Sequence, residues 1–415
     1  MIREKYSIIK DELKLNIMDG TIDSIRKKSI QGTAFKTYKD GKVSIATAMG
    51  DVDDDQLAAQ SEEELAFGSH VDWQPTEKLT ASRSTKIANV QAEDFVAQWE
   101  ECLAHLKETH ADYILTNNIV LNGSQVTLTN DLGTELTQKA QSALAILILQ
   151  NRQATTDDFS FVINQDIEVD KETLYQAVSE NVQLNKNKVD LPGDGQYPVI
   201  SMFSLTQNFF DKHLGGEVVG NQSSYFKNDL GKKIFNEKMT LRIVTDQSEG
   251  RSFGAFSPQA PMFFDAEGTI RENTLIFDKG VFVNPLSSRK SAEKYGFLAN
   301  GGTSAPYSQL PKEGCEYTLD QTHDHLDEIL QGRTAILEVV SPGGDFTSDG
   351  DFATPCILSY LYQDGKLVGQ LPALQLSGHI RQMFGDDYLG TCPLPMKGTD
   401  GMISPVVMMD VKVLK

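Results

Sequence analysis

Asp-Gly pairs that stand between short runs of alternating apolar and polar residues are the feature that most constrains the fold of this chain. Asp40-Gly41 separates the runs 32–39 and 42–48, and Asp364-Gly365 separates two further runs. An Asp-Gly pair in this setting is a strong local signal for a two-residue β-hairpin. Because short extended runs also recur from Thr240 to Val413, the second half of the chain is predicted to be rich in strands.

The first half of the chain combines helices with strands. Residues 1 to about 50 are predicted to form one helix and then a strand meander, and Asn122-Gly123 is predicted to be a turn. Further helices are predicted at 56–67, 93–108 and 171–185, and a buried strand, with a short helix as the alternative, at 141–150. The Pro- and Gly-rich segment 190–198 marks a boundary. The predicted fold is α+β, with an N-terminal α+β domain (1–190) that has an antiparallel sheet, and a C-terminal β-rich domain (191–415) with a central helix.

That central helix is predicted from Phe203 to Leu214. Phe203, Phe210 and Leu214 recur at helical spacing, and Gly215-Gly216 stops the pattern. A helix at the centre of a mixed α/β chain is a common place for an active site. The side chains on this helix therefore decide whether the chain has a catalytic centre of its own.

Composition narrows the function. The formal net charge of -20 argues against a nucleic-acid partner, because a phosphate backbone selects for clustered Lys and Arg. The sequence contains no apolar run of about 18 residues, the length that a membrane-spanning helix needs. No signal peptide is evident near Met1, so a cytoplasmic protein is expected. The cysteines form no CxxC pair, which indicates reduced, mostly buried thiols. They are Cys102, Cys315, Cys356 and Cys392.

Histidines and one cysteine are the remaining candidates for chemistry. His323 and His325 lie near carboxylates, but residues two apart share no face of a helix, so both could ligate a metal only from an extended segment. His213 and His379 are single histidines, which are more often structural than catalytic. Cys392 is a weak candidate nucleophile, and a buried small hydrophobic residue is the more frequent alternative.

A series of motifs, in order along most of the chain, resembles the TldD/TldE (PmbA) family. Each motif is loose alone, and the series together is fairly specific. The motifs are 40–43, 130–133, 223–233, 247–254, 264–269, 273–281 and 365–378. The stretch from Ser223 to Gly231 matches a segment that follows the family's central helix, and Asp265 to Gly268 matches its D-x-E-G turn.

The resemblance implies which residues to compare with a zinc site. TldD-like chains carry HExxxH on the central helix and a late cysteine, and resemble zinc peptidases, whereas TldE-like (PmbA-like) chains lack HExxxH and pair with TldD. This chain has Gln207, Asn208 and Lys212 at the three positions, and a one-residue shift would place His213 at the last. Cys392 falls close to the late cysteine. Since at most one imidazole and one thiolate remain, the resemblance implies no metal and no other cofactor.

The leading hypothesis is a TldE/PmbA-like, metal-free subunit or paralogue of a TldD/TldE-type metallopeptidase that takes part in proteolysis or peptide maturation. Its implied partners are a TldD-like subunit or a second copy of itself, and an extended or unfolded peptide. One alternative is a regulatory binding protein, in line with the family's description as a modulator of DNA gyrase. A second alternative is a hydrolase that uses Cys392 with His213 or His379. Whether the chain is an enzyme stays open at this stage.

Overall fold

The chain folds as α+β, as predicted, with two large, mostly antiparallel sheets. The computed structural model describes residues 1–85, 90–154, 158–202, 205–245, 261–305, 311–399 and 401–414. Within these ranges, no helix is long and apolar enough to cross a membrane.

The first half builds an eight-stranded sheet. Its strands are β1 (Ile2–Met18), β2 (Thr21–Lys39), β3 (Lys42–Met49), β4 (Ser69–His70), β5 (Thr80–Thr85), β6 (Tyr113–Asn130), β7 (Glu135–Asn151) and β8 (Phe159–Asn164). The strand order is β4-β3-β2-β1-β6-β7-β5, and β8 pairs with the second half of β7. The hairpin predicted at Asp40-Gly41 joins β2 to β3, and both residues adopt positive φ.

The helix predicted at the start of the chain is wrong, because residues 2–18 form strand β1. The buried side chains of β1 change face along its length: Tyr6 and Ile8 are buried near its start, whereas Leu13 and Leu15 are buried near its end. The first pair packs with Phe264, and the second pair packs under helices on the opposite face. A single alternation therefore never runs through the whole strand, and the mixed spacing resembles a helix.

The turn predicted at Asn122-Gly123 is also wrong. Both residues lie inside β6, where Asn122 is opposite Glu12 on one side and Ser142 on the other. A strand that has neighbours on both edges holds even an Asn-Gly pair extended. The strand predicted at 141–150 is confirmed as part of β7, and its short-helix alternative is wrong.

Three helices belong to this half: α1 (Asp54–Glu63), α2 (Ala92–Thr109) and α3 (Lys171–Lys186), with a 3-10 turn at Glu64–Phe67. Asp53 caps α1 by accepting hydrogen bonds from the backbone N–H groups of Asp55 and Gln56. Trp99 on α2 and Val178 on α3 are buried against Leu15 and Leu149 of the sheet. Helices α2 and α3 therefore cover one face of one end of the sheet, whereas α1 packs against Phe35 of β2 and Ala46 of β3.

The second half contains a nine-stranded sheet and smaller ribbons. Its strands are β9 (Gly195–Ser201), β10 (Leu241–Ile243), β11 (Leu275–Asp278), β12 (Val281–Phe282), β13 (Thr303–Ser304), β14 (Lys312–Glu313), β15 (Tyr317–Leu319), β16 (Ala335–Val340), β17 (Asp345–Phe346), β18 (Asp351–Cys356), β19 (Leu358–Gln363), β20 (Lys366–Gln370), β21 (Leu374–His379), β22 (Tyr388–Pro393) and β23 (Ile403–Val413). The large sheet has the order β17-β18-β21-β23-β9-β16-β19-β20, with β22 paired to β23.

Short helices complete this half: α4 (Gln207–His213), α5 (Gly216–Gly220), α6 (Arg289–Tyr295), α7 (Leu326–Leu330) and α8 (Ile380–Met383). The last strand of the first sheet ends at Asn164, and the first strand of the second sheet begins at Gly195. The domain division at residues 190 and 191 stays a prediction.

A buried lysine, Lys36, joins the two halves of the chain. Lys36 of β2 and Glu4 of β1 are directly opposite each other, and Lys36 Nζ lies 3.0 Å from Glu4 Oε1. The same ammonium group donates a hydrogen bond to the backbone carbonyl of Ala266 at 2.8 Å. Both side chains are almost fully buried, at 7% and 0% exposure. This contact fixes the turn that contains Ala266 on the first sheet.

Candidate functional site

Helix α4 is the element on which the candidate site depends. It begins at Gln207, several residues later than predicted, and Phe203 lies outside the described residues. Phe209 and Phe210 are buried on its inner face, and Leu214 follows them as the C-terminal cap. These apolar positions hold the helix against the core and leave its other residues facing outward.

Buried aromatic rings fix the inner face of α4. The ring centroid of Phe210 lies 5.2 Å from that of Phe384 and 6.2 Å from that of Phe226. Phe235 and Phe277 surround the same ring at 6.3 and 6.4 Å. The rings of Phe235, Phe277 and Phe384 pack edge to face with that of Phe210, and such packing adds stability beyond the buried area alone. The backbone of α4 is therefore held rigidly beneath the cavities described next.

The motif after α4 closes the end of the helix. Ser224 Oγ donates a hydrogen bond to the His213 carbonyl at 2.7 Å, and the Tyr225 backbone N–H donates to His213 Nδ1 at 3.1 Å. Burial lowers the pKa of His213, which keeps the imidazole neutral and able to accept. The ring also packs 4.6 Å from that of Phe209. His213 therefore acts here as a structural residue.

The other positions compared with HExxxH point to different places. Gln207 lines a cavity of about 510 Å³, which we call cavity 1. Asn208 lines a separate cavity of about 540 Å³, cavity 2. Lys212 is exposed and lines neither. The three side chains thus do not converge on one point.

Cavity 1 lies between β1, α4 and the segments 261–271, 303–305 and 313–317. Asp211 of α4 borders it, and the Tyr317 hydroxyl donates a hydrogen bond to Asp211 Oδ1 at 2.6 Å. Loss of hydration raises the pKa of Asp211, and hydrogen bonds from Tyr317 and Gln207 oppose the rise. Burial also raises the pKa of Cys315, in the same wall, to about 11. That thiol is therefore not a nucleophile near neutral pH.

The D-x-E-G turn forms another wall of cavity 1. Asp265 Oδ1 accepts hydrogen bonds from the backbone N–H groups of Glu267 and Thr269. Glu267 Oε2 accepts one from the backbone N–H of Arg289 at the start of α6, at 2.7 Å. Burial, together with the nearby Asp265, raises the pKa of Glu267 to about 7. The hydrogen bond from Arg289 joins the turn to the start of α6, and the hydrogen bond from Lys36 to Ala266 joins the same turn to the first half of the chain.

Cavity 2 is mostly apolar. Ile146, Ile148 and Phe161 of the first sheet form one side, and residues 338–344 form the other. Glu338 in its wall is almost fully buried, and Ser201 Oγ donates a hydrogen bond to its Oε2 at 2.6 Å. Burial raises the pKa of Glu338. This carboxyl group thus has a stronger tendency to hold a proton than an exposed one.

One face of the first sheet forms a wall of both cavities. Lys10 of β1 lines cavity 1, and Ile146 of β7 lines cavity 2. The strand register places even-numbered residues of β1, β6 and β7 in the same rows, for example Glu12, Asn122 and Ser142. Because alternate residues share a face, the two lining residues lie on the same side of the sheet. We use the name cleft for the two cavities on either side of the first turn of α4.

The remaining sequence candidates lie elsewhere. Cys392 is fully buried in a cluster with Leu337 and Tyr360, not in the cluster that holds α4. Burial raises its pKa to about 12. His379 uses both ring nitrogens on backbone groups: Nε2 lies 2.9 Å from the Asp349 carbonyl, and Nδ1 accepts from the Arg381 N–H. A Cys392 thiolate paired with His213 or His379 therefore finds no support.

A metal does not fit the positions that the resemblance singles out. His325 is extended and precedes α7, while His323 Nδ1 lies 2.8 Å from Thr322 Oγ1. In the part of the chain that the structure describes, no three or more His, Cys, Asp or Glu side chains are grouped so that they could hold a metal ion. Amides and an ammonium group are also poor zinc ligands, so Gln207, Asn208 and Lys212 cannot take over the role of the His, Glu and His side chains of HExxxH.

Several residues that line the cavities were not predicted from the sequence. Asp211 is four residues after Gln207, so the helical spacing alone places both side chains on one face. Tyr317 and Glu338 come from distant strands and carry no local signal. The motif 247–254, which supported the resemblance, lies outside the described residues.

The chain is similar to known proteins both in sequence and in structure. Residues 194–408 match the PmbA/TldA metallopeptidase C-terminal domain. A metalloprotease of Methanothermobacter thermautotrophicus is 26% identical over 200 residues, which are 46% of this chain and 42% of that protein. TldE from Thermococcus kodakarensis is similar in structure, with a TM-score of 0.77 at 17% identity, and the match covers 99% of this chain and 96% of that one.

A second solved structure has the same fold. It is a protein of Thermotoga maritima described as a proposed modulator of a DNA gyrase. Its TM-score is 0.74 at 15% identity, with 99% of this chain and 96% of that chain covered. At such low identity the two structures establish the fold, and the match at 194–408 covers α4 and most of the cleft.

Proposed function

The chain belongs to the PmbA/TldD metallopeptidase family, and from this premise we propose that it is a TldE-like member without a catalytic metal of its own. It serves as the subunit or paralogue that accompanies a metal-bearing, TldD-like chain in proteolysis or peptide maturation. Its own contribution is to hold an extended peptide in the cleft.

One observation carries the metal-free part of this proposal. The positions compared with the metal-binding motif hold Gln207, Asn208 and Lys212. Gln207 lines cavity 1, Asn208 lines cavity 2, and Lys212 lines neither cavity. A zinc centre needs imidazole, thiolate or carboxylate groups that converge within about 2.0–2.3 Å of one point. The inner face of the helix that carries them is nevertheless buried through Phe209 and Phe210, so the helix keeps a structural role under the cleft.

The cleft has the chemistry of a peptide site. Cavity 2 offers apolar walls of Ile146, Ile148 and Phe161, and cavity 1 offers carboxylates such as Asp211 and Glu313. An extended peptide projects successive side chains to opposite sides. Such a peptide can therefore place an apolar side chain in cavity 2 and a polar or basic one toward cavity 1.

Replacing Ile146 with glutamate should weaken binding of an extended peptide at least about tenfold, because burial of a leucine-sized side chain contributes about 1.5–3 kcal/mol. The probe is a fluorescein-labelled peptide of alternating lysine and leucine, and fluorescence anisotropy measures its dissociation constant. Leu298→Glu is the matched control, since Leu298 is 57% exposed and outside both cavities. Equal affinities of the two variants would contradict the assignment of peptide binding to this cleft.

The gyrase-modulating alternative stays a prediction. Gyrase modulation is the description that the Thermotoga maritima protein carries. No feature of the cleft favours a gyrase partner over a peptide ligand.

A further inference from the structure

A buried carboxyl group borders cavity 2 without a cation beside it. Glu338 is the only charged residue among the described residues that line this cavity. Its side chain is almost fully buried, and Ser201 Oγ donates the hydrogen bond that its Oε2 accepts. Glu4, which is buried to the same extent, has Lys36 as its cation. Because a buried carboxylate is costly without a cation, the environment of Glu338 suits a positively charged ligand.

The strands around Glu338 place hydroxyl groups beside it. Glu338 lies on β16 in the interior of the second sheet, opposite Ser201 of β9 on one side and Ser359 of β19 on the other. The adjacent residues of β16, Leu337 and Val339, are fully buried among apolar neighbours. Each member of this polar row has lost hydration on burial. A cationic group that reaches Glu338 would offset part of that cost.

The rest of the lining suits an aliphatic chain. Ile146 and Ile148 of β7 and Phe161 of β8 form the opposite side of the cavity. Apolar walls around a single carboxyl group are complementary to a side chain with an aliphatic stem and a cationic end, which describes lysine. Arginine fits less well, because a guanidinium group pairs best with both carboxylate oxygens and Glu338 Oε2 already accepts from Ser201.

We propose that cavity 2 binds a lysine side chain of the extended peptide, with the methylene groups against Ile146 and Ile148 and the ammonium group paired with Glu338. The pairing favours the ionised form of the Glu338 carboxyl group. Since the peptide in the cleft presents this side chain, the lysine pocket rests on the proposed function. The ligand of cavity 2 is then an apolar stem that ends in a positive charge.

Two fluorescein-labelled peptides test the pocket. Both have a host sequence of alternating threonine and serine, and the single central residue is lysine in one and norleucine in the other. The two peptides therefore differ only in the ammonium group. Fluorescence anisotropy measures both dissociation constants. We expect the wild-type protein to bind the lysine peptide at least about tenfold more tightly, since loss of one member of a buried charge pair typically weakens binding by that much or more.

Glu338→Gln is the informative variant, because glutamine keeps an oxygen that can accept from Ser201 but carries no charge. We expect this variant to lose the preference for lysine and to bind the norleucine peptide as the wild type does. Glu100→Gln removes the same charge from an exposed residue of α2 outside both cavities, and it should leave the preference intact. Circular dichroism shows whether both variants remain folded.

Equal affinities of the wild type for the two peptides overturn the lysine pocket and leave the peptide cleft standing. A lysine preference that persists in Glu338→Gln also overturns it, because the ammonium group then pairs elsewhere. If neither peptide binds the wild type, the proposed function fails and the lysine pocket fails with it.

Discussion

Replacing Phe210 with alanine lowers the free energy of unfolding by about 3–5 kcal/mol, the range measured when a buried phenylalanine is truncated in a packed core. Phe210 is fully buried, and the rings of Phe226, Phe235, Phe277 and Phe384 enclose it. Truncation leaves a void that rigid aromatic neighbours fill poorly. Because Phe210 lies on α4, the loss also loosens the helix beneath the cleft.

Urea unfolding followed by tryptophan and far-ultraviolet signals measures this change. Phe67→Ala is the matched control, since Phe67 is 93% exposed and its truncation should change the stability by no more than about 0.5 kcal/mol. Equal stabilities of the two variants would show that the aromatic cluster does not hold α4.

Replacing Lys36 with methionine has an effect of similar size. The change leaves the Glu4 carboxylate buried without its cation and the Ala266 carbonyl without its donor. Removal of one partner of a buried ion pair typically costs about 3–5 kcal/mol, because the remaining charge cannot regain its hydration. We expect the urea midpoint to fall accordingly, and the turn at 265–268 to become more accessible to proteases.

The double variant Glu4→Leu/Lys36→Met is the informative control for this pair. It removes both charges together, and similar replacements of buried ion pairs are often neutral or stabilising. A double variant as unstable as Lys36→Met alone would mean that loss of the hydrogen bond to the Ala266 carbonyl, and not the unpaired charge of Glu4, accounts for the lower stability.

The sequence predicted those elements whose stability depends mainly on residues that are adjacent in the chain. The hairpin at Asp40-Gly41 was predicted from the sequence, and both residues have the positive φ that the turn requires. The cap at Asp53, seen in the structure, likewise depends only on its side chain and two backbone donors. The turn between β11 and β12 has the same local basis, since Lys279 and Gly280 both have positive φ. A Cβ on Gly280 would meet the Phe235 carbonyl oxygen at 2.2 Å, so glycine is required there.

Elements whose environment changes along their length could not be predicted. Strand β1 buries Tyr6 under one set of neighbours and Leu15 under another, and only the finished fold supplies both. Asn122 stays extended because strands flank it on two sides. The turn rule for Asn-Gly describes an isolated segment, and the sheet overrides it.

The candidate site was likewise only partly predictable from the sequence. The motif comparison selected α4 in advance, and the i, i+4 spacing could have added Asp211 to Gln207. The cavities themselves arise where one face of the first sheet meets α4 and the segments 261–271 and 338–344. No local pattern contains that juxtaposition, so Tyr317, Glu338 and Ile146 became visible only in the fold.

Zinc content is the measurement that tests the central claim most directly. The protein is incubated with zinc chloride, desalted, and analysed by inductively coupled plasma mass spectrometry. Because the positions compared with the metal motif hold Gln207, Asn208 and Lys212, we predict less than about 0.1 zinc per chain. One zinc per chain that survives desalting, and is lost when His213 or Cys392 is replaced with alanine, would contradict a metal-free member of this family.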